Sequence, residues 1–250
     1  MRLEEIKQSL YRVWVLCLKD MKLYYFKGPT IVTGILMPLF VWLAFTVGRG
    51  FSFTEDLPAL ITLASFFVSS SITPIVMPWE ARQKSLEMLL SKPVTVYTIL
   101  LGTALASSLF GTFISFTLVT VGLLLNVVPC DLISLALGIA VSSLCHSFMG
   151  LVFSAIPSDV PADAVMLSSA VRLPLVFVSG IFVPIQSLPY YVKPIAFISP
   201  LTYFSDLIKK AYGRRSLLPQ SIDVIALFLL TITFAVLALA TNKRTLMRRL

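Results

Sequence analysis

Six apolar runs, at about 29–48, 57–78, 97–125, 132–156, 164–183 and 221–241, constrain this chain more than any other feature. A helix needs about 20 predominantly apolar residues to cross a hydrocarbon core roughly 30 Å thick. Each run is near that length, and every break between runs holds proline, glycine or charge. The 250 residues are therefore counted in crossings rather than in globular domains. Composition agrees, because only 13% of the residues are charged and the mean hydropathy is +0.91, whereas a soluble domain carries about a quarter charged residues. The expected fold is all-α and integral to the membrane: an amphipathic connecting helix over 1–28, then a six-helix transmembrane domain over 29–250.

With six crossings both termini share one side, and the basic residues identify it. Arg2, Lys7, Arg12, Lys19, Lys22 and Lys27 precede the first run, Arg82, Lys84 and Lys92 follow the second, and Lys243, Arg244, Arg248 and Arg249 end the chain. Those 13 of 20 basic residues predict cytoplasmic termini in a multi-pass protein of the cell membrane. Lys193, Lys209, Lys210, Arg214 and Arg215 pull the other way from a long outer segment. The net charge of +8 lies in clusters beside apolar runs, which suits anionic membrane lipid and argues against nucleic acid. The first 27 residues are charged throughout instead of forming a short apolar core with a cleavage site, so the first crossing is expected to target the membrane.

Within the opening segment Ile6, Leu10, Val13, Cys17, Met21 and Tyr24 recur at three- and four-residue steps, with lysine and arginine mainly on other faces. That pattern predicts an interfacial helix, a surface anchor or a contact for a partner protein. Residues 184–215 are too rich in proline for one crossing and too apolar for a solvated loop. Ser199 and Pro200 mark a helix start, followed by the stripe Leu201, Phe204, Leu207, Ile208 and Ala211. Two short helices re-entering the outer leaflet are predicted there.

Ionisable groups at depth, which proton-coupled transport and membrane enzymology need, are scarce. His146 is predicted to be a hydrogen-bonded residue between helices rather than a proton carrier. Arg172 is expected to snorkel toward the cytoplasm, or else to form a salt bridge within the bundle. Asp159 and Asp163 stand four apart as a possible metal pair, but Pro157 and Pro161 favour a capped turn. Cys17, Cys130 and Cys145 show neither paired nor metal-ligand spacing. No GxxxxGK[ST] loop occurs, so energy from ATP would have to come from another polypeptide. Thr62, Ser65, Ser69 and Thr73 share one face of the second helix, for close helix packing or as a translocation path or subunit interface. Ala104, Ser108, Gly111 and Ser115 form a small-residue stripe on the third, as close packing would need. A wall without fixed charge suits an amphipathic cargo.

The break at 80–93, EARQKSLEMLLSKP, resembles the loop between helices two and three of ATP-binding-cassette type 2 exporter permeases. There a Glu and an Arg precede Gly-Thr-Leu-Glu-x-Leu-Leu-x-x-Pro. Here Glu80 and Arg82 precede Ser85, Leu86, Glu87, Leu89, Leu90 and Pro93, with Lys84 at the glycine position. Residues 179–213 are similar to the same family's outer re-entrant segment, through Pro184, Leu188, Pro189, Pro194, Pro200, Leu201, Thr202, Tyr203 and Asp206. The resemblance implies a six-helix permease paired with a second permease, the same chain or a related one, and two ATPase subunits that bind ATP and Mg. No cofactor is expected on this chain. It makes 80–93 the coupling helix. Leu86, Leu89 and Leu90 would then offer an apolar face to the ATPase, and Glu80, Arg82, Lys84 and Glu87 would form rim contacts. The implied activity is export of an amphipathic, lipid-like, glycan or drug-like substrate. Two rivals remain: an ion-coupled secondary transporter, which charge-poor spans disfavour, and a membrane enzyme using Asp159 and Asp163. An assembly protein would leave the second motif unexplained.

Overall fold

The computed structural model describes residues 2–28, 32–47, 53–158 and 160–249, and among these it contains helices and turns without strands. In chain order the helices are α1 (Arg2–Asp20), α2 (Met37–Thr46), α3 (Phe53–Ser71), α4 (Thr73–Arg82), α5 (Ser85–Leu90), α6 (Val96–Leu124), α7 (Leu132–Phe153), α8 (Pro161–Val178), α9 (Lys193–Ile198), α10 (Pro200–Ala211) and α11 (Gln220–Arg249). Wider π-helical turns, Met21–Tyr25 and Val32–Leu36, extend α1 and lead into α2. Five stretches are long and apolar enough to cross a bilayer: Glu55–Arg82, Val96–Leu124, Leu132–Phe153, Pro161–Val178 and Gln220–Thr245. The first run supplies a shorter apolar helix, Gly34–Thr46. The six-crossing expectation therefore meets five full-length helices among the described residues.

The second run is broken. Pro74 lacks the N–H that would continue the ladder, so α3 stops at Ser71 and α4 starts anew. The Ser70 and Ser71 hydroxyls turn back to the carbonyls of Phe66 and Phe67. Elsewhere the ends are capped as their residues predict. Thr95 accepts the Thr98 N–H at 3.3 Å to start α6, and Asp131 accepts the Ser134 N–H at 3.1 Å to start α7. Asn126, at φ 61°, ends α6 in a motif that returns the N–H groups of Asn126 and Val127 to the carbonyls of Leu123 and Gly122. Gly213, at φ 67°, ends α10 in the same way.

Packing places α3, α6, α7 and α11 side by side, with α10 lying across α3, α7 and α11. One apolar core gathers Leu57, Ile61, Phe66, Leu135, Phe204 and Leu227. A second gathers Leu16, Tyr25, Met77, Leu86, Leu100 and Leu151. Contacts sort the connections into two ends. Arg12 reaches Pro93, Lys243 lies over the Tyr97 ring, and Thr245 bonds Ala155, which puts both described chain ends beside the 80–97 and 154–158 connections. At the opposite end Cys130 N–H bonds the Ala211 carbonyl, and Arg214 lies 4.0 Å from Glu55.

Candidate functional site

The 80–93 segment is a helix end, a tight turn and one short helix. Lys84 makes the turn, in the left-handed conformation at φ 57° and ψ 10°. A residue with a Cβ is disfavoured there, which gives a physical reason for glycine at this position in the resembling pattern. Ser85 follows, and its hydroxyl donates to the Glu80 carbonyl at 3.2 Å. The orientation of α5 corrects the expected docking face. Leu86 is 1% exposed and belongs to the chain's own core, with Leu89 and Leu90 packed partly against that core. The leucines hold the turn onto α4 and α6, while Arg82, Gln83, Lys84, Glu87, Met88, Ser91 and Lys92 face outward. Met88, 66% exposed, is the apolar tip of that surface, and the sequence reading passed over it.

Glu80 is a second correction, since it is buried at 1% exposure and forms no rim contact. Its Oε1 accepts a hydrogen bond from the Lys19 ammonium and another at 3.5 Å from the Tyr24 hydroxyl. Lys19 also lies 3.1 Å from Asp20, whose other oxygen accepts the Thr103 hydroxyl at 2.6 Å. Burial lifts the Asp20 carboxyl above its usual range, although Lys19 and Thr103 oppose the shift. Burial pulls the Lys19 ammonium down, but Asp20 and Glu80 outweigh it and hold it above the ordinary lysine value. Arg12 donates to the Pro93 carbonyl at 2.5 Å. Helix α1 is thus tied to both ends of the 80–93 segment. Its backbone also sits close on α6, where a Cβ on Gly102 would stand 2.8 Å from the Leu16 Cβ and 3.2 Å from the Val13 carbonyl oxygen. Farther toward the N-terminus Ile6, Leu10, Tyr11 and Trp14 remain exposed.

Thr62, Ser65, Ser69 and Thr73 are all buried by the chain's own helices. The Ser65 and Ser143 hydroxyls are 3.1 Å apart, and the Ser107 hydroxyl donates to the Ser69 carbonyl at 2.6 Å. Glycine lets the neighbours approach: a Cβ on Gly111 would stand 1.8 Å from the Ser69 hydroxyl, and one on Gly150 would stand 2.0 Å from the Thr73 hydroxyl and 2.9 Å from the Ser70 carbonyl oxygen. On α6, Ala104 accepts the Ser147 hydroxyl at 2.8 Å and Ser115 is buried. Ser108 is buried as well, so the small-residue stripe packs against neighbouring helices as its composition predicts.

At the opposite end prolines punctuate the chain. Pro184 precedes the short turn Ile185–Ser187, Leu188 and Pro189 follow it, and Pro194 and Pro200 open α9 and α10. Ser199 takes the cap position of α10, yet its hydroxyl makes no cap bond. The Thr202 and Tyr203 hydroxyls donate to the carbonyls of Ala196 and Phe197. The apolar stripe Leu201, Phe204, Leu207, Ile208 and Ala211 is buried. Asp206 accepts the N–H groups of Leu217 and Leu218 at 2.8–2.9 Å and so fixes the connection to α11. Lys209 donates to the Gly180 carbonyl, and burial lowers its pKa. An open chamber of about 610 Å³ lies here, lined by Glu55, Asp56, Asp206, Lys209, Arg214 and Arg215 among others.

The profile of one protein family spans nearly all of these elements: the ABC-2 type transporter domain matches residues 4–212. The chain belongs to the ABC-2 type transporter family. Among curated proteins it is similar to the "Probable multidrug ABC transporter permease YbhR" of Escherichia coli (strain K12) and of Escherichia coli O157:H7, with 23% identity to each over 197 residues. That stretch is 76% of this chain and 52% of each relative, so the chain spans about half the length of the curated relatives it matches. Family and apolar helices together make it a multi-pass membrane protein.

The buried ionisable groups of this ABC-2 chain depart from expectation. Arg172 does not snorkel, being 5% exposed, and it has no carboxylate partner among the described residues. It donates instead to neutral oxygens: the Ser168 carbonyl and the hydroxyls of Ser70, Ser71 and Ser169, at 2.8–3.4 Å. His146 is fully buried and neither ring nitrogen has a hydrogen-bond partner among the described residues, in place of the hydrogen-bonded residue expected. Its ring packs against Phe66 and Phe204 at 5.0 and 5.8 Å. Asp163 accepts the Ser158 hydroxyl at 2.5 Å in the first turn of α8, while Asp159 lies outside the described residues. The described residues hold no group of His, Cys, Asp and Glu able to bind a metal, and the three cysteines are free.

Proposed function

We propose that the chain is the transmembrane permease subunit of an ATP-binding-cassette exporter, working with separate ATPase subunits and a second permease. The observation that carries this reading is the build of the 80–93 segment. A polar turn with one exposed methionine is held rigidly from behind by three leucines and from the side by α1. A surface that must transmit force needs such backing. A push on α5 moves α4 and α6 through the shared core, and moves α1 through Lys19 and Arg12. ATP and Mg would sit on the partner ATPases, whose closure would draw the two permeases' turns together and rock the bundles between inward- and outward-facing states. The exposed half of α1 would lie on the membrane surface against lipid.

In this reading Gly34–Thr46 belongs to the first of six crossings, both termini are cytoplasmic in the cell membrane, and α9 and α10 dip into the outer leaflet. The contacts of Arg12, Lys243 and Thr245 support a shared side for the termini. The cargo would be an amphipathic, drug-like, glycan or lipid-like molecule, in keeping with the word multidrug in the relatives' name. The test is reconstitution of the tagged chain with a cassette ATPase in proteoliposomes. Uptake of an amphipathic dye should require MgATP and survive collapse of ion gradients. Uptake that follows a proton or sodium gradient without ATP would replace this reading with a secondary transporter.

A further inference from the structure

A groove of about 350 Å³ opens between the first apolar helix, the second run and α8, lined by Val32, Leu36, Phe40, Ile75, Val165 and Leu173 among others. Its walls are almost wholly apolar apart from one end, where Arg172 meets Ser71 and Ser169. The cation there is held in place, and no carboxylate among the described residues neutralises it. A guanidinium offers five N–H donors, and the four bonds it makes go to uncharged oxygens. The Phe67 ring, 5.9 Å away, and the carbonyl end of α3 soften the burial without cancelling the charge. A buried charge is costly unless an opposite charge meets it. The groove leads straight to this one.

We infer that the groove binds an anionic amphiphile drawn from the membrane, with its acidic headgroup on Arg172 and its hydrocarbon along Val165, Leu173, Phe40 and Leu36. The inference deepens the exporter reading, on which its role as a cargo site rests, and assigns that cargo a negative headgroup. Ser169 stands beside the guanidinium and would supply a hydroxyl donor to a phosphate or carboxylate. Leu36 and Phe40 are exposed in the single chain, as a site entered sideways from lipid requires.

The experiment is equilibrium binding of radiolabelled dodecyl phosphate to the full chain purified in dodecyl maltoside, with dodecyltrimethylammonium and inorganic phosphate as competitors. One saturable site per chain is expected, displaced by neither competitor at equal concentration. Arg172→Gln should weaken binding about tenfold or more, the scale of a charge-assisted hydrogen bond. Val165→Trp, which fills the groove and keeps the cation, should weaken it comparably and decides the matter if Arg172→Gln does not fold. Binding unchanged in a folded Arg172→Gln or in Val165→Trp would overturn the inference. So would equal displacement by the cationic amphiphile, displacement by inorganic phosphate, or no saturable binding because a second copy of the chain covers the groove. The assay contains no ATPase. A chain that binds dodecyl phosphate but takes up dye without ATP would sink the exporter reading and leave the site standing.

Discussion

The Glu80 carboxylate accepts a hydrogen bond from the Lys19 ammonium across 61 positions of sequence, joining the amphipathic helix to the start of the 80–93 segment. Asp20 shares the same lysine at 3.1 Å, so one cation serves two buried carboxylates. Removing the cation and removing a carboxylate are therefore unequal. Lys19→Met strands two negative charges and should cost about 3 kcal/mol. Glu80→Gln leaves Lys19 and Asp20 matched one to one and should cost about 1 kcal/mol. Thermal unfolding in detergent should show the larger drop for Lys19→Met, and equal drops would remove the shared-cation argument.

The same cluster predicts a dependence on pH. Burial raises the folded-state value of Asp20 above its unfolded value near 3.8. A raised carboxyl contributes its stability in full below the unfolded value and loses it as pH climbs through the folded one. Asp20→Asn removes this titration. Its thermal midpoint relative to the natural chain should therefore rise between pH 4 and pH 8. A difference that falls over that range would show that Lys19, rather than burial, dominates Asp20.

Lys84 holds a left-handed backbone at φ 57° on an exposed turn. Lys84→Gly removes the Cβ conflict but loosens the unfolded chain, for a net gain of about 1 kcal/mol or less. Lys84→Val adds a β-branch to the same conformation and should lower stability. Thermal midpoints of the two variants should move in opposite directions. In the proposed complex the glycine variant should also bind the ATPase less tightly, because the natural side chain faces outward.

Close approach at the broken second run supports a fourth expectation. A Cβ on Gly111 meets the end of the short Ser69 side chain, which can rotate, whereas one on Gly150 also meets the Ser70 carbonyl oxygen at 2.9 Å, which belongs to backbone. Gly150→Ala should cost about 3 kcal/mol and Gly111→Ala about 1 kcal/mol, the range for overpacking. Adding Ser69→Ala to Gly111→Ala should recover most of its loss, as measured by unfolding of the double variant.

Much of the fold was legible because bilayer length and helix period act locally. The long apolar runs, the helix start at Ser199 and Pro200 and the buried stripe from Leu201 to Ala211 all follow from neighbours in sequence. The features that went astray depend on distant partners. A six-residue helix carries too little pattern to show whether Leu86 faces the chain's own core or a partner. Nothing near Glu80 announces Lys19. Arg172 looked free to snorkel because the hydroxyls that hold it, Ser70 and Ser71, lie about a hundred residues earlier. His146 looked polar by composition, yet its surroundings are two aromatic rings supplied by other helices. Met88 stands singly between Leu86 and Leu89, so no periodicity in the sequence marks it.

The central claim is that energy from ATP enters through the outward face of the 80–93 segment. The most direct measurement is retention of a cassette ATPase, with MgATP hydrolysis, by the purified complex carrying Met88→Asp. Met88 is 66% exposed, so the permease should unfold at its natural temperature while ATPase retention and coupled hydrolysis fall about tenfold or more, as the loss of an interface anchor requires. Stoichiometric retention with hydrolysis unchanged would contradict the account.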